Sequence, residues 1–235
     1  MEVLINLQSK RDYCETIKPS SYEQSINTSP KTKAYQNINN LFIDHYDPTC
    51  SILDEKEKEV YTKQRIVEIA TDIDEKSDTH YTNFNYSKRS MKSSLIQTGL
   101  QTPNNLSSVI YLGDLYKVTP IIYIDHLKLK IITSCKDRCN LHILYRDGAF
   151  TTLDDIPDFK PGTYENLKEC FVLNLKNLDV YNTPLQPISK YKMPELVEIA
   201  ENNSIPLHVH GKKKVKKQLY DDINVYYINN PTASN

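Results

Sequence analysis

Apolar positions along this chain follow three different rhythms. Ile66, Ile69, Ala70 and Ile73 recur at helical spacing behind the charged opening Glu55-Lys-Glu-Lys-Glu59, and Ser51 to Asp54 offers a capping box. An amphipathic helix is predicted over about 54 to 74. Val109–Leu112, Leu115–Val118, Ile121–Ile124, Leu127–Ile132, Leu141–Tyr145 and Phe171–Leu178 are instead short β-rich runs between turn signals such as Gly113-Asp114, Asp147-Gly148 and Pro161-Gly162. These predict a small antiparallel sheet or barrel over residues 107 to 182. Elsewhere the rhythm is missing. Residues 1 to 50 are polar and interrupted by Pro19, Pro30 and Pro48, which reads as an arm that orders on a partner. Residues 77 to 105 read as a linker with one short helix near Met91 to Ile96. The fold class expected is α+β, in four stretches: an arm at 1–50, a helix and linker at 51–106, a β-rich domain at 107–182 and a helical module at 188–227.

That last stretch has the clearest pattern. Leu196, Ile199 and Ala200 share a helical face, and Pro194 sits where a first-turn proline is tolerated. Ile205-Pro206-Leu207 cannot continue that helix. Gly211 breaks the chain, and Val215, Leu219 and Ile223 then repeat at i, i+4, i+8. A helix–extension–helix is predicted, its second helix opening in Lys212, Lys213, Lys214, Lys216 and Lys217 with Lys213 and Lys217 off the apolar stripe.

Met193, Leu196, Ile199, Ala200, Ile205, Gly211, Lys212, Lys216, Leu219 and Ile223 together resemble the SAP family and the related module at the N-terminus of Rho termination factor. The resemblance covers residues 188 to 227, and His208-Val-His210 departs from it by widening the linker. It implies that the start of the second helix and the residues before the first contact a DNA backbone. On this chain those positions are Lys190, Lys192, Lys212, Lys213, Lys214, Lys216 and Lys217. The residue chemistry agrees independently, because lysine ammonium neutralises phosphate without reading bases. Cations are also unusual at a helix start, where the macrodipole is itself positive. A nuclear-localisation reading of Gly211 to Lys217 is equally open at this stage.

Net charge is −1, so nucleic-acid affinity must be local to this cluster. There are 17 Tyr, no Trp and 5 Gly, a bias that fits an AT-rich genome such as those of many large DNA viruses and phages. No run is long enough to span a bilayer, and the opening residues do not form a signal peptide. Five scattered cysteines indicate free thiols in an intracellular or virion-interior protein.

Catalytic chemistry is sparse. Cys135, Cys139, His142 and Cys170 are weak candidate zinc ligands, but their spacing is not that of a standard knuckle. His208 and His210 would share a face on an extended strand. Asp221-Asp222 reads as charge balance beside the lysines. No phosphate-cradling glycine loop or nucleophile motif occurs, and no cofactor is expected. The expectation is therefore a non-enzymatic accessory protein that binds the DNA or RNA backbone and is associated with a viral or phage genome. The alternative is a structural or assembly protein of a viral particle, contacting other subunits through its arm and built into an oligomer.

Overall fold

The computed structural model describes residues 33–230, and the protein is α+β with two compact units. The larger unit runs to Ser134 and resumes over Asn140–Tyr181; the smaller comprises Cys135–Cys139 and the chain from Asn182.

In the larger unit, helix α1 (Ile38–Tyr46) is opened by Asn37, whose side chain accepts from the Asn39 N–H. Ile38, Leu41, Phe42 and Ile43 are fully buried. This corrects the polar-arm reading for residues 33 to 50; the remainder of that arm, 1–32, lies outside the described residues. Asn39 is buried too, and its carboxamide is satisfied. It donates to the Gly99 and Leu100 carbonyls at 3.1 and 3.2 Å and accepts from the Ser108 hydroxyl at 2.9 Å.

Helix α2 (Glu55–Glu75) begins one turn later than a Ser51 cap would place it. Asp54 accepts from the Lys56 and Glu57 N–H groups while Glu57 accepts from the Asp54 N–H, a capping box. Ser51 instead donates its hydroxyl to the Pro48 carbonyl. Thr62, Ile69, Ala70 and Ile73 form the buried face of α2.

The predicted linker is structured. Helix α3 (Ser77–Phe84) ends on Asn85 in the left-handed conformation, and α4 (Ser93–Gln101) follows. Tyr86 and Met91 between them are buried. Gly99 permits close helix packing: a Cβ there would lie 2.6 Å from Ser107 Oγ.

Helix α5 (Leu106–Leu115) corrects the strand predicted at Val109–Leu112. Leu106 to Asp114 are all buried, so the helix needs no polar face and shows no helical period. The sheet follows: β1 (Val118–Ile124), β2 (Leu129–Ile132), β3 (Cys139–Arg146), β4 (Ala149–Thr152) and β5 (Lys160–Pro161), in the order β4-β3-β1-β2-β5. β1–β2 and β3–β4 are antiparallel, but β2–β5 is parallel, so the sheet is mixed rather than antiparallel. Asp147 and Gly148 both have positive φ in the two-residue turn closing β3–β4, as an Asp-Gly hairpin requires. Phe171–Leu178 is not a strand; Phe171 stacks on Phe150 at 5.4 Å, and Val172 makes one isolated bridge to Asn105.

Candidate nucleic-acid interface

The smaller unit contains helix α6 (Met193–Asn202), a hairpin of β6 (His208–Val209) and β7 (Lys212–Lys213), and helix α7 (Lys216–Asn229). Leu196, Ala200, Ile205, Leu219 and Ile223 form its core, with Met193, Ile199 and Leu207 packed against them. α6 stops because Ser204 turns left-handed at φ 57° and the Ile205 N–H returns to the Ala200 carbonyl at 2.8 Å. The extension then carries Ile205 onto the helices' apolar faces.

The lysine run does not open the second helix as one block. Val209 pairs with Lys212 and His208 with Lys213, around a turn of His210 and Gly211 with φ of 49° and 72°. Two consecutive positive φ values are the geometry of a type I′ hairpin turn. His210 thus lies in the turn, not on an extended strand with His208.

The seven predicted contact lysines separate into two groups. Lys190, Lys192, Lys212, Lys213 and Lys217 are exposed and Lys216 is half-exposed. Lys214 is buried, with its Nζ 2.7 Å from Asp222 Oδ2 on α7. The approach is an ion pair rather than an aligned hydrogen bond, and Nζ has no other acceptor among the described residues. The Lys214 N–H also donates to the Leu207 carbonyl at 2.9 Å. Lys214 is therefore a clasp between the hairpin and α7, withdrawn from the contact surface. A peptide receptor reading Gly211 to Lys217 as an extended segment would have to break that clasp.

Val215, expected on the buried stripe, is 61% exposed and occupies the N-cap of α7. Valine has no acceptor, so the side-chain hydrogen bond at this cap among the described residues is Gln218 accepting from the Val215 N–H at 3.0 Å. The first turn of α7 contains no acid. Its positive end, Lys216, Lys217 and the preceding lysine pair therefore adjoin in sequence with little to neutralise them. Lys217 has a surface partner, Asp221 at 3.2 Å, worth little against solvent. At α6, Glu195 accepts from the Lys192 N–H at 2.6 Å, which fixes the lysine-bearing entry to that helix.

Two tyrosines brace the segment before α6. The Gln186 N–H donates to Tyr191 Oη at 3.2 Å, and Tyr220 Oη donates to the Gln186 carbonyl at 2.9 Å. Asn229 performs a similar service for the Cys135–Cys139 loop, accepting from the Asp137 N–H at 2.8 Å and donating to the Cys135 carbonyl at 3.0 Å. Sequence spacing does not signal the Tyr220 and Asn229 contacts, because they join residues far apart in the chain.

The zinc candidates are not gathered into a site. Cys139 is exposed and Cys135 half-exposed; the His142 ring lies 2.9 Å from Tyr123 Oη; Cys170 is buried and donates to the Leu167 carbonyl. Burial pushes the Cys170 thiol pKa well up, further from a metal-binding thiolate. Among the described residues no group of three or more His, Cys, Asp or Glu side chains could hold a metal ion, and no helix is long and apolar enough to cross a membrane. Compared with models of protein families, with curated proteins and with solved structures, the chain matches none.

Proposed function

We propose that the helix–hairpin–helix unit grips the phosphate backbone of DNA through Lys190, Lys192, Lys212, Lys213, Lys216 and Lys217, and that the protein is a non-enzymatic, genome-associated accessory protein of a virus or phage. The observation that carries this reading is the exposed lysine series over the hairpin and the acid-free, weakly capped start of α7. Lysine supplies charge without a base-reading fork, so binding is expected to be indifferent to sequence. If all six of these lysines neutralise phosphates, the slope of log affinity against log salt is about −5.

The test is a fluorescence-anisotropy titration of the full chain against random-sequence duplex at several salt concentrations. Lys213→Glu with Lys217→Glu should abolish binding near physiological salt, since both side chains are exposed and the core is untouched. Unchanged binding in that variant, or none by the parent chain at low salt, overturns the phosphate-grip reading. The second reading, a subunit of a particle or connector, is favoured by a different surface: the outer side of α2, where Val60 and Val67 are exposed.

A further inference from the structure

Helix α2 carries aliphatic side chains on two opposite sides. The inner one, Thr62, Ile66, Ile69 and Ile73, packs within the unit, chiefly against α4. The outer one lies opposite on the helix and repeats at the same alternation of four and three: Val60, Gln64, Val67 and Thr71, preceded by Glu57. Val60 is 68% exposed and Val67 61%, and they stand one heptad apart on the same side of the helix. Two open surface depressions of about 450 and 490 Å³ meet at Gln64 on this side, one lined by Leu53 and Val60 and the other by Val67 and Thr71. No other element among the described residues covers the face.

We infer that the outer face of α2 is a short parallel coiled-coil seam that pairs with α2 of a second copy of this chain. With Val60 and Val67 at the d positions and Gln64 and Thr71 at a, the flanking positions select both partner and direction. Lys63 falls at g and Glu68 at e. In a parallel pair the g side chain of one helix meets the e side chain of the next heptad on the other, so Lys63 faces Glu68 of the second copy, twice by symmetry. An antiparallel pair would set lysine against lysine and glutamate against glutamate. In the single chain these groups have only surface partners, Lys63 with Glu59 at 2.8 Å and Glu68 with Arg65 at 3.2 Å and the Gln64 carboxamide at 3.0 Å, which a new partner displaces at little cost. Gln64 opposite Gln64 would fix the register as a buried amide does in coiled coils. α2 is already held in helical form by its inner face, so pairing requires no helix formation. The seam has only two valines per copy, so association is expected to be weak, in the micromolar range.

The surface is independent of the lysine module, and its test does not involve nucleic acid. Sedimentation equilibrium of the full chain should show a reversible monomer–dimer equilibrium. Val60→Lys with Val67→Lys should leave the melting curve in place and weaken dimerisation at least about tenfold, by setting like charges at the seam. Lys63→Glu alone and Glu68→Lys alone should each weaken self-association, while an equimolar mixture of the two variants should restore it as a heterodimer. A monomer at every accessible concentration overturns the proposal, as does a dimer indifferent to the seam variant. A Lys63→Glu variant that pairs with the parent chain more tightly than either pairs with itself overturns the parallel arrangement, because only in an antiparallel pair does position 63 face position 63.

Discussion

Lys213 and Lys214 are neighbours of identical type in opposite surroundings, one exposed on β7 and the other sealed against Asp222. The difference could not be read from their order along the chain, since it depends on where the hairpin places each side chain relative to α7. The burial predicts an asymmetry between the partners. Asp222→Ala strands a buried ammonium and should cost about 3 kcal/mol, whereas Lys214→Met leaves a carboxylate that is 19% exposed and so within reach of water, and should cost less than that. Urea unfolding of the two variants checks this; equal losses would mean that the pair acts only through packing. Asp47 provides a second case. Burial pushes its carboxyl up, but hydrogen bonds from Tyr61 and the Thr49 N–H and the Arg65 guanidinium outweigh burial and hold it below the ordinary 3.8. The depressed native pKa means that ionised Asp47 stabilises the fold fully above the unfolded-state value. That contribution is lost as pH falls below about 4 through the native value. Asp47→Asn should therefore cost roughly 1–3 kcal/mol at neutral pH and make stability less steeply acid-dependent below pH 4, as chemical denaturation across pH would reveal.

Elements were legible in proportion to how one-sided their burial is. α2, half in solvent, shows its period plainly, and so do Leu196 with Ala200 and Leu219 with Ile223 in the small unit. α5 is buried on every side, so Val109-Ile-Tyr-Leu112 carries no period and its β-branched content points to a strand that packing overrides. Turn chemistry was half legible: Asp147-Gly148 announces its hairpin, but the second lies under Pro206, two histidines and a lysine run that mask it. That hairpin depends on Gly211, whose φ of 72° a side chain tolerates poorly although the space around it is open. Gly211→Ala should therefore destabilise the unit by roughly 1–2 kcal/mol through backbone conformation alone. Gly211→Asn, which tolerates the left-handed region, should cost less. Thermal melts of the two variants separate strain from crowding, and an alanine variant as stable as the parent would show that the turn can relax.

At the scale of the whole molecule, the polar composition of residues 1 to 50 suggests a detachable arm, and the suggestion fails at α1. Only four large apolar side chains of α1 are involved, Ile38 and the run Leu41-Phe42-Ile43, set in a long polar segment whose average composition hides them. Each is fully buried, and Asn39 beside them ties the Gly99 and Leu100 carbonyls to Ser108. Burying such a side chain contributes roughly 1.5–3 kcal/mol, so the four together supply about 6–12 kcal/mol before any conformational entropy is counted. The whole stability of a domain is about 5–15 kcal/mol. Deleting residues 1 to 50 should thus leave a larger unit without a cooperative transition, exposing the faces of α2 and α5 that α1 covers. Leu41→Ala in the full chain should fold yet lose about 2–5 kcal/mol, the cost of a cavity at a site that cannot collapse. Calorimetry of the two proteins decides the matter. A cooperative melt for the truncated chain would mean that α1 lies on the core without being needed to form it, and would make the polar arm, α1 included, a separable segment after all.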